Sequence, residues 1–88
     1  MRAFSVEFTR SAEKEFAKLS VKIRGRISEA INVLAQNPYS ELLKTKKLKG
    51  ADDLYRIRVG DYRVVYSVRN EALVVIIIKI GNRREVYR

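Results

Sequence analysis

Eighty-eight residues, 47% of them apolar and only five of them Gly or Pro, describe one small folded domain over residues 1–88 rather than a disordered chain. With no Cys and no His, disulfides, thiolate or imidazole metal ligands and a cysteine nucleophile are excluded, and no metal or cofactor site is expected. Nineteen Lys and Arg against ten Asp and Glu leave a net charge of +9, which favours a polyanionic partner such as nucleic acid, an acidic protein or an anionic surface.

Phe4, Val6 and Phe8 alternate with Ser5, Glu7 and Thr9, the period of a half-buried strand. Thr9 is placed to cap a helix in which Ala12, Phe16 and Leu19 recur at helical spacing. Ser20 breaks and restarts the chain. Ile23, Ile27, Ala30, Ile31 and Leu34 then form a single apolar stripe, closed by Asn37-Pro38 because a residue before proline avoids the helical region. Residues 39–53 read as a lysine-rich connector containing Lys44, Lys46, Lys47 and Lys49, with turn signals at Gly50 and Asp52-Asp53.

Two strands follow, Leu54–Val59 and Tyr62–Arg69, joined by Gly60-Asp61, a tight-hairpin signal. A third strand, Ala72–Ile80, is apolar on both faces and is expected to lie centrally and be covered on both sides, with Gly81-Asn82 interrupting it. Its register is open to a one-residue slip for the same reason. The expected fold is therefore α+β, with an N-terminal strand and a helical hairpin packed on one face of a mostly antiparallel four-stranded sheet. The apolar run Leu73–Ile78 is too short to span a bilayer, and the start of the chain lacks a signal-peptide core. A soluble cytoplasmic protein with no membrane partner is expected.

The two-residue turn dictates a register. Val59 faces Tyr62, Arg58 faces Arg63, Ile57 faces Val64, Arg56 faces Val65 and Tyr55 faces Tyr66. Tyr55, Ile57, Val59, Tyr62, Val64 and Tyr66 then share an apolar face, while Arg56, Arg58 and Arg63 fall on the other. Like charges directly opposite one another cost up to about 1 kcal/mol, and these strands supply no carboxylate to that face. One reading is that the arginines splay into water, where their charges are screened. The functional reading is a phosphate cradle of guanidinium forks. If the third strand returns past the second, its end brings Gly81, Arg83 and Arg84 alongside, with Tyr87 as an aromatic neighbour. Phosphate clamping with base stacking is how single-stranded RNA is held.

Such a site has little means of metal-dependent hydrolysis, but phosphoryl transfer runs largely on positioning and charge neutralisation. RNA carries its own nucleophile, the 2′-hydroxyl. Arginine stays protonated and is a poor base, which leaves Lys49, or a Tyr87 whose pKa is lowered among the arginines, to take up the proton.

The run Leu54-Tyr55-Arg56-Ile57-Arg58-Val59-Gly60-Asp61-Tyr62-Arg63-Val64-Val65-Tyr66, with Lys49-Gly50 before it and Gly81-Asn82-Arg83-Arg84-Glu85-Val86-Tyr87-Arg88 after it, resembles the RelE/ParE toxin superfamily, and the resemblance covers nearly the whole chain. It implies a ribosome-dependent endoribonuclease that cuts mRNA in the A site, neutralised by a cognate antitoxin, with operator DNA bound only through the antitoxin complex. It also implies site roles. The two catalytic lysines of RelE fall on Arg56 and Arg58, its transition-state arginine on Arg63, its leaving-group arginine on Arg83 with Arg84 as the alternative, and its base-stacking tyrosine on Tyr87. Lys46, Lys47, Lys49, Arg84 and Arg88 are candidate RNA-binding residues. The sequence departs from the family at the two lysines and at Asn82, where many relatives carry histidine. It closes at Arg88, ahead of the C-terminal helix some members carry. Two other functions share the scaffold: a ParE-like inhibitor of DNA gyrase, and a weakly active or inactive homologue acting through antitoxin binding and operon repression.

Overall fold

A computed structural model describes residues 3–40, 43, 45–48 and 54–82. The elements in order are β1 (Ser5–Phe8), α1 (Arg10–Ala17), α2 (Val21–Gln36), β2 (Lys46–Lys47), β3 (Leu54–Val59), β4 (Tyr62–Arg69) and β5 (Val74–Asn82). They form one sheet in the order β1-β5-β4-β3-β2, with β1 parallel to β5 and the other pairs antiparallel. The α+β class and the helical hairpin follow expectation. A fifth strand, the two residues of β2, emerges from the stretch read as a connector. The turn signals at Gly50 and Asp52-Asp53 lie outside the described residues.

Both helix starts are set by the caps the sequence offers. The Thr9 side chain accepts the Ala12 N–H at 3.1 Å, and that of Ser20 accepts the Ile23 N–H at 3.3 Å. Asn37, at φ −152° and ψ 97°, ends α2 in extended backbone ahead of Pro38. Ala12, Ile27, Ala30, Ile31 and Leu34 bury the inner faces of the helices against Ile57, Val59, Val64, Tyr66, Val68, Val75, Ile77 and Ile80 of the sheet. Phe8 and Phe16 meet with ring centroids 5.7 Å apart, fastening β1 to α1.

Strand β5 differs from expectation in three ways. It begins at Val74, after a four-residue loop Asn70–Leu73 in which Leu73 takes φ 53°, and it continues through Gly81 and Asn82 instead of breaking there. Its neighbours are β1 and β4, so it is central in the sheet, yet only one of its faces is buried under the helices. Val75, Ile77 and Ile80 are buried while Val74, Ile76 and Ile78 remain half-exposed. The register also shifts, with Val65 opposite Lys79 but Tyr66 opposite Ile77. A bulge at Ile78 lets an apolar strand satisfy both competing registers, one on each side of the extra residue. Ile77 and Ile80, three positions apart, therefore both face the core.

Polar side chains finish what the ladder leaves open. Strand β1 ends at Phe8, opposite Ile77, so among the described residues no strand lies beside the outer edge of β5 beyond that point. The Thr9 hydroxyl donates to the Ile78 carbonyl at 3.0 Å, and the Glu15 carboxylate accepts the Ile80 N–H at 2.9 Å. On the other side, the buried Tyr66 hydroxyl donates to the Pro38 carbonyl at 2.6 Å. Thr45, 3.4 Å from that hydroxyl, donates in turn to Ser40. These bonds tie the loop after α2 to β4 and set where β2 begins.

Burial pushes the Tyr66 phenol up from 10.0 to about 12. Because the folded value lies above the unfolded one, the contribution of this group is fully present below pH 10.0 and is lost as pH rises through about 12. Urea unfolding as a function of pH is expected to show a decline in stability over that range that is smaller in Tyr66→Phe. At neutral pH Tyr66→Phe is expected to cost about 1–2 kcal/mol, from the orphaned Pro38 carbonyl.

Candidate nucleic-acid interface

The hairpin carries the register that its turn dictates: Val59↔Tyr62, Arg58↔Arg63, Ile57↔Val64, Arg56↔Val65 and Tyr55↔Tyr66. Gly60 sits at φ +59°, while Asp61 does not have a positive φ, the combination of a type II′ turn. A two-residue loop cannot slip without changing its geometry, so the side of the sheet on which each arginine stands is decided at this point.

On the face away from the helices, two neighbouring rungs gather positive charge. One rung runs Lys46, Arg56, Val65, Lys79 across β2, β3, β4 and β5, and the next runs Arg58, Arg63, Gly81 across β3, β4 and β5. Arg58 is exposed, Arg56 half-buried, and Arg63 only 3% exposed. The three arginines thus share a face but not an environment. Arg63 is built into the molecule rather than splayed into water, and both it and Arg56 also interact within the chain. Gly81, opposite Arg63, puts no side chain on the rung that carries this large buried guanidinium.

The remaining sequence-derived candidates divide. Lys46 stands opposite Arg56 and joins the arginine face, whereas Lys47 stands opposite Tyr55 and belongs to the other face; both are exposed. Lys49, Arg83, Arg84, Tyr87 and Arg88 lie outside the described residues, although β5 runs up to Asn82, the residue before Arg83. Among the described residues no group of three or more His, Cys, Asp or Glu is arranged to hold a metal ion, and no helix is long and apolar enough to cross a membrane.

Two cations escaped the sequence reading. Lys79 reaches the arginine face only because the bulge at Ile78 resets the alternation of β5; its ammonium lies 3.8 Å from the Glu15 carboxylate. Arg26, on α2, extends to the hairpin turn, with a guanidinium nitrogen 3.4 Å from where a Cβ on Gly60 would stand. A charge on the polar side of a helix gives no sign in sequence of which distant turn it overhangs. The break in alternation at Ile77–Ile80 was the one available signal for Lys79.

A family model described as the ParE toxin of the type II toxin–antitoxin system parDE matches residues 6–87. The chain belongs to the RelE/ParE toxin family. Within it the chain is of RelE type. It is 34% identical over 89 residues to the mRNA interferase toxin RelE of Escherichia coli, covering 97% of this chain and 90% of that protein. It superimposes on RelE in the archaeal RelE–RelB complex of Pyrococcus horikoshii with a TM-score of 0.81 at 33% identity, covering 92% of this chain and 96% of that one. Isolated Escherichia coli RelE gives the same TM-score at 34% identity, over 97% and 92% of the two chains.

In this RelE-type toxin the exposed Arg58 stands directly opposite Arg63. Arg58→Thr, which removes the cross-strand repulsion and keeps a good strand former, is expected to raise stability by about 0.2–1 kcal/mol in chemical denaturation. A loss of stability would mean that the arginine is retained for packing.

Proposed function

We infer that this RelE-type toxin is a metal-independent endoribonuclease that cleaves mRNA in the ribosomal A site and so arrests translation. The observation that carries the reading is the pair of adjacent cationic rungs, Lys46–Arg56 and Arg58–Arg63, on a face to which β3 and β4 contribute no carboxylate. Guanidinium and ammonium groups gathered from neighbouring strands on one face are the donors that a phosphodiester takes.

The chemistry follows from those groups. The 2′-oxygen of the ribose attacks the adjacent phosphorus, the bond to the 5′-oxygen breaks, and the products are a 2′,3′-cyclic phosphate and a new 5′-hydroxyl. Negative charge accumulates on the phosphoryl oxygens in the transition state. Guanidinium forks from Arg56, Arg58 and Arg63 oppose it without giving up a proton. Arg83, or Arg84 beside it, stabilises the leaving 5′-oxygen, which takes its proton from water, and Tyr87 stacks on a base. The proton of the 2′-hydroxyl goes to Lys49 or to a Tyr87 phenolate, because arginine does not accept one. Lys46, Lys47, Lys49 and Arg88 add attraction to the RNA backbone, and the net charge of +9 suits a ribosomal partner.

The further expectations are a cognate antitoxin, since related RelE chains were crystallised as RelE–RelB complexes, operator DNA contacted only through that complex, and a cytoplasmic location. A second reading draws on the ParE description of the matching family: a ParE-like toxin that inhibits DNA gyrase and cuts no RNA.

Mapping transcript 5′ ends after induction without antitoxin separates the two. Cuts within codons of translated messages are expected, with Arg63→Ala or Tyr87→Ala lowering them by about 10²–10³-fold. Arg63→Lys, which keeps a charge in the buried position, is expected to stay folded and still lose most activity because the planar fork is gone. Growth arrest accompanied by DNA breaks and indifferent to Tyr87 would favour the gyrase reading.

A further inference from the structure

At the hairpin tip, on the side away from β4, a pocket of about 320 Å³ opens between α2 and the edge of β3. Arg26 and Arg58 wall it, Gly60 forms its lip, Glu29 shares its lining, and Ala30 and Val33 supply apolar surface. Among the described residues β2 is two residues long. It covers Tyr55 and Arg56, and among the described residues no strand lies beside β3 from Ile57 to Val59. In a two-residue hairpin Val59 and Tyr62 form the hydrogen-bonded closing pair. The peptide groups of Arg58, in the next, non-hydrogen-bonded pair, therefore face the edge of β3 away from β4.

The charge balance here is unusual. Arg26 crosses over the turn, its Nη1 3.4 Å and Nη2 3.8 Å from the position a Gly60 Cβ would take, and so lines the same pocket as Arg58. Neither guanidinium has an ion-pair or hydrogen-bond partner among the described residues, and Glu29 pairs with neither. Two arginines without ion pairs thus border one pocket whose lining holds a single carboxylate, Glu29. A third donor, the Arg58 N–H, faces the same edge. Several N–H donors around a small concavity with an apolar wall suit a tetrahedral oxyanion with a sugar against the wall.

We propose that this Arg26–Arg58 pocket is a phosphate subsite that holds the backbone of the substrate RNA next to the bond being cut. The proposal rests on the endoribonuclease reading and extends it. Arg58 belongs both to the cationic rung on the open face and to the pocket at the edge. A single strand lying on the arginine face is thereby handed round the edge of β3, from Arg63 to Arg58 to Arg26. The continuity through Arg58 favours the substrate strand itself over ribosomal RNA or an acidic peptide.

The test compares wild type, Arg26→Ala and Arg26→Lys on mRNA-programmed ribosomes, using messages in which one phosphate at a time near the cut is replaced by an uncharged methylphosphonate. Arg26 is exposed, so thermal melting is expected to be unchanged. On unmodified message Arg26→Ala is expected to lower kcat/KM about tenfold, the value of a charged hydrogen bond, with Arg26→Lys intermediate. At one flanking position the methylphosphonate is expected to slow wild type and leave Arg26→Ala no slower than before. The dependence of log kcat/KM on log salt is expected to flatten by about 0.7 in Arg26→Ala, one phosphate contact on a single strand. Unchanged kinetics in Arg26→Ala would overturn the proposal. So would a loss that no substitution in the message cancels, which would place the contact on ribosomal RNA, or a variant whose only defect is weaker binding of an acidic peptide. Failure of the underlying reading is a different result, in which wild type leaves every message intact.

Discussion

The structure depends on a turn too short to slip. Gly60, at φ +59°, lets β3 reverse into β4 with Asp61 as the only other loop residue, and from that point every side chain on both strands is assigned a face. Tyr55, Ile57, Val59, Tyr62, Val64 and Tyr66 go to the helices, where Ile57, Val64 and Tyr66 are fully buried. Arg56, Arg58 and Arg63 go to the other side by the same geometry. Slipping one residue would expose the apolar set and drive the arginines into the core, so the burial of this one face enforces the clustering of charge on the other. The cationic face is in this sense a by-product of a well-specified hydrophobic register.

That clustering is supported by polar side chains that complete the sheet where its strands stop. The Tyr66 hydroxyl holds the loop after α2 through Pro38 and thereby places Lys46 beside Arg56. Glu15 and Thr9 stand in for the missing continuation of β1 along β5, so β5 stays extended through Asn82 and delivers the chain toward Arg83. The same carboxylate approaches Lys79. An edge satisfied by side chains is also a poor template for another strand.

Arg56 and Arg58 both stand on β3, with Lys46 opposite Arg56 and Arg63 opposite Arg58. Guanidinium suits the clamping part of phosphoryl transfer and not the proton-accepting part. In the proposed reaction the sheet arginines would therefore stabilise charge, and the proton would pass to a different group.

Much of the fold was legible because it is written in short-range rules. Thr9 and Ser20 as caps, the stop at Asn37-Pro38 and the arginine register each need only a few neighbouring residues and the period of a helix or strand. Family membership was legible for the same reason, being carried by contiguous runs. What escaped were features set by contacts between distant segments. The fifth strand forms because Lys46-Lys47 meet β3, and a two-residue strand has no period to read. The bulge at Ile78 arises in a strand apolar at every position from Leu73 to Ile78, where either register buries isoleucine or valine, and only pairing with β4 on one side and β1 on the other decides between them. Lys79 joined the cationic face through that bulge, and Arg26 reached Gly60 through the packing of α2 across the sheet. By itself the sequence determined which residues share a face within an element, because backbone geometry makes that periodic. Which faces meet, and so which cations stand together, was decided only by the tertiary structure, because no period runs from one element to another.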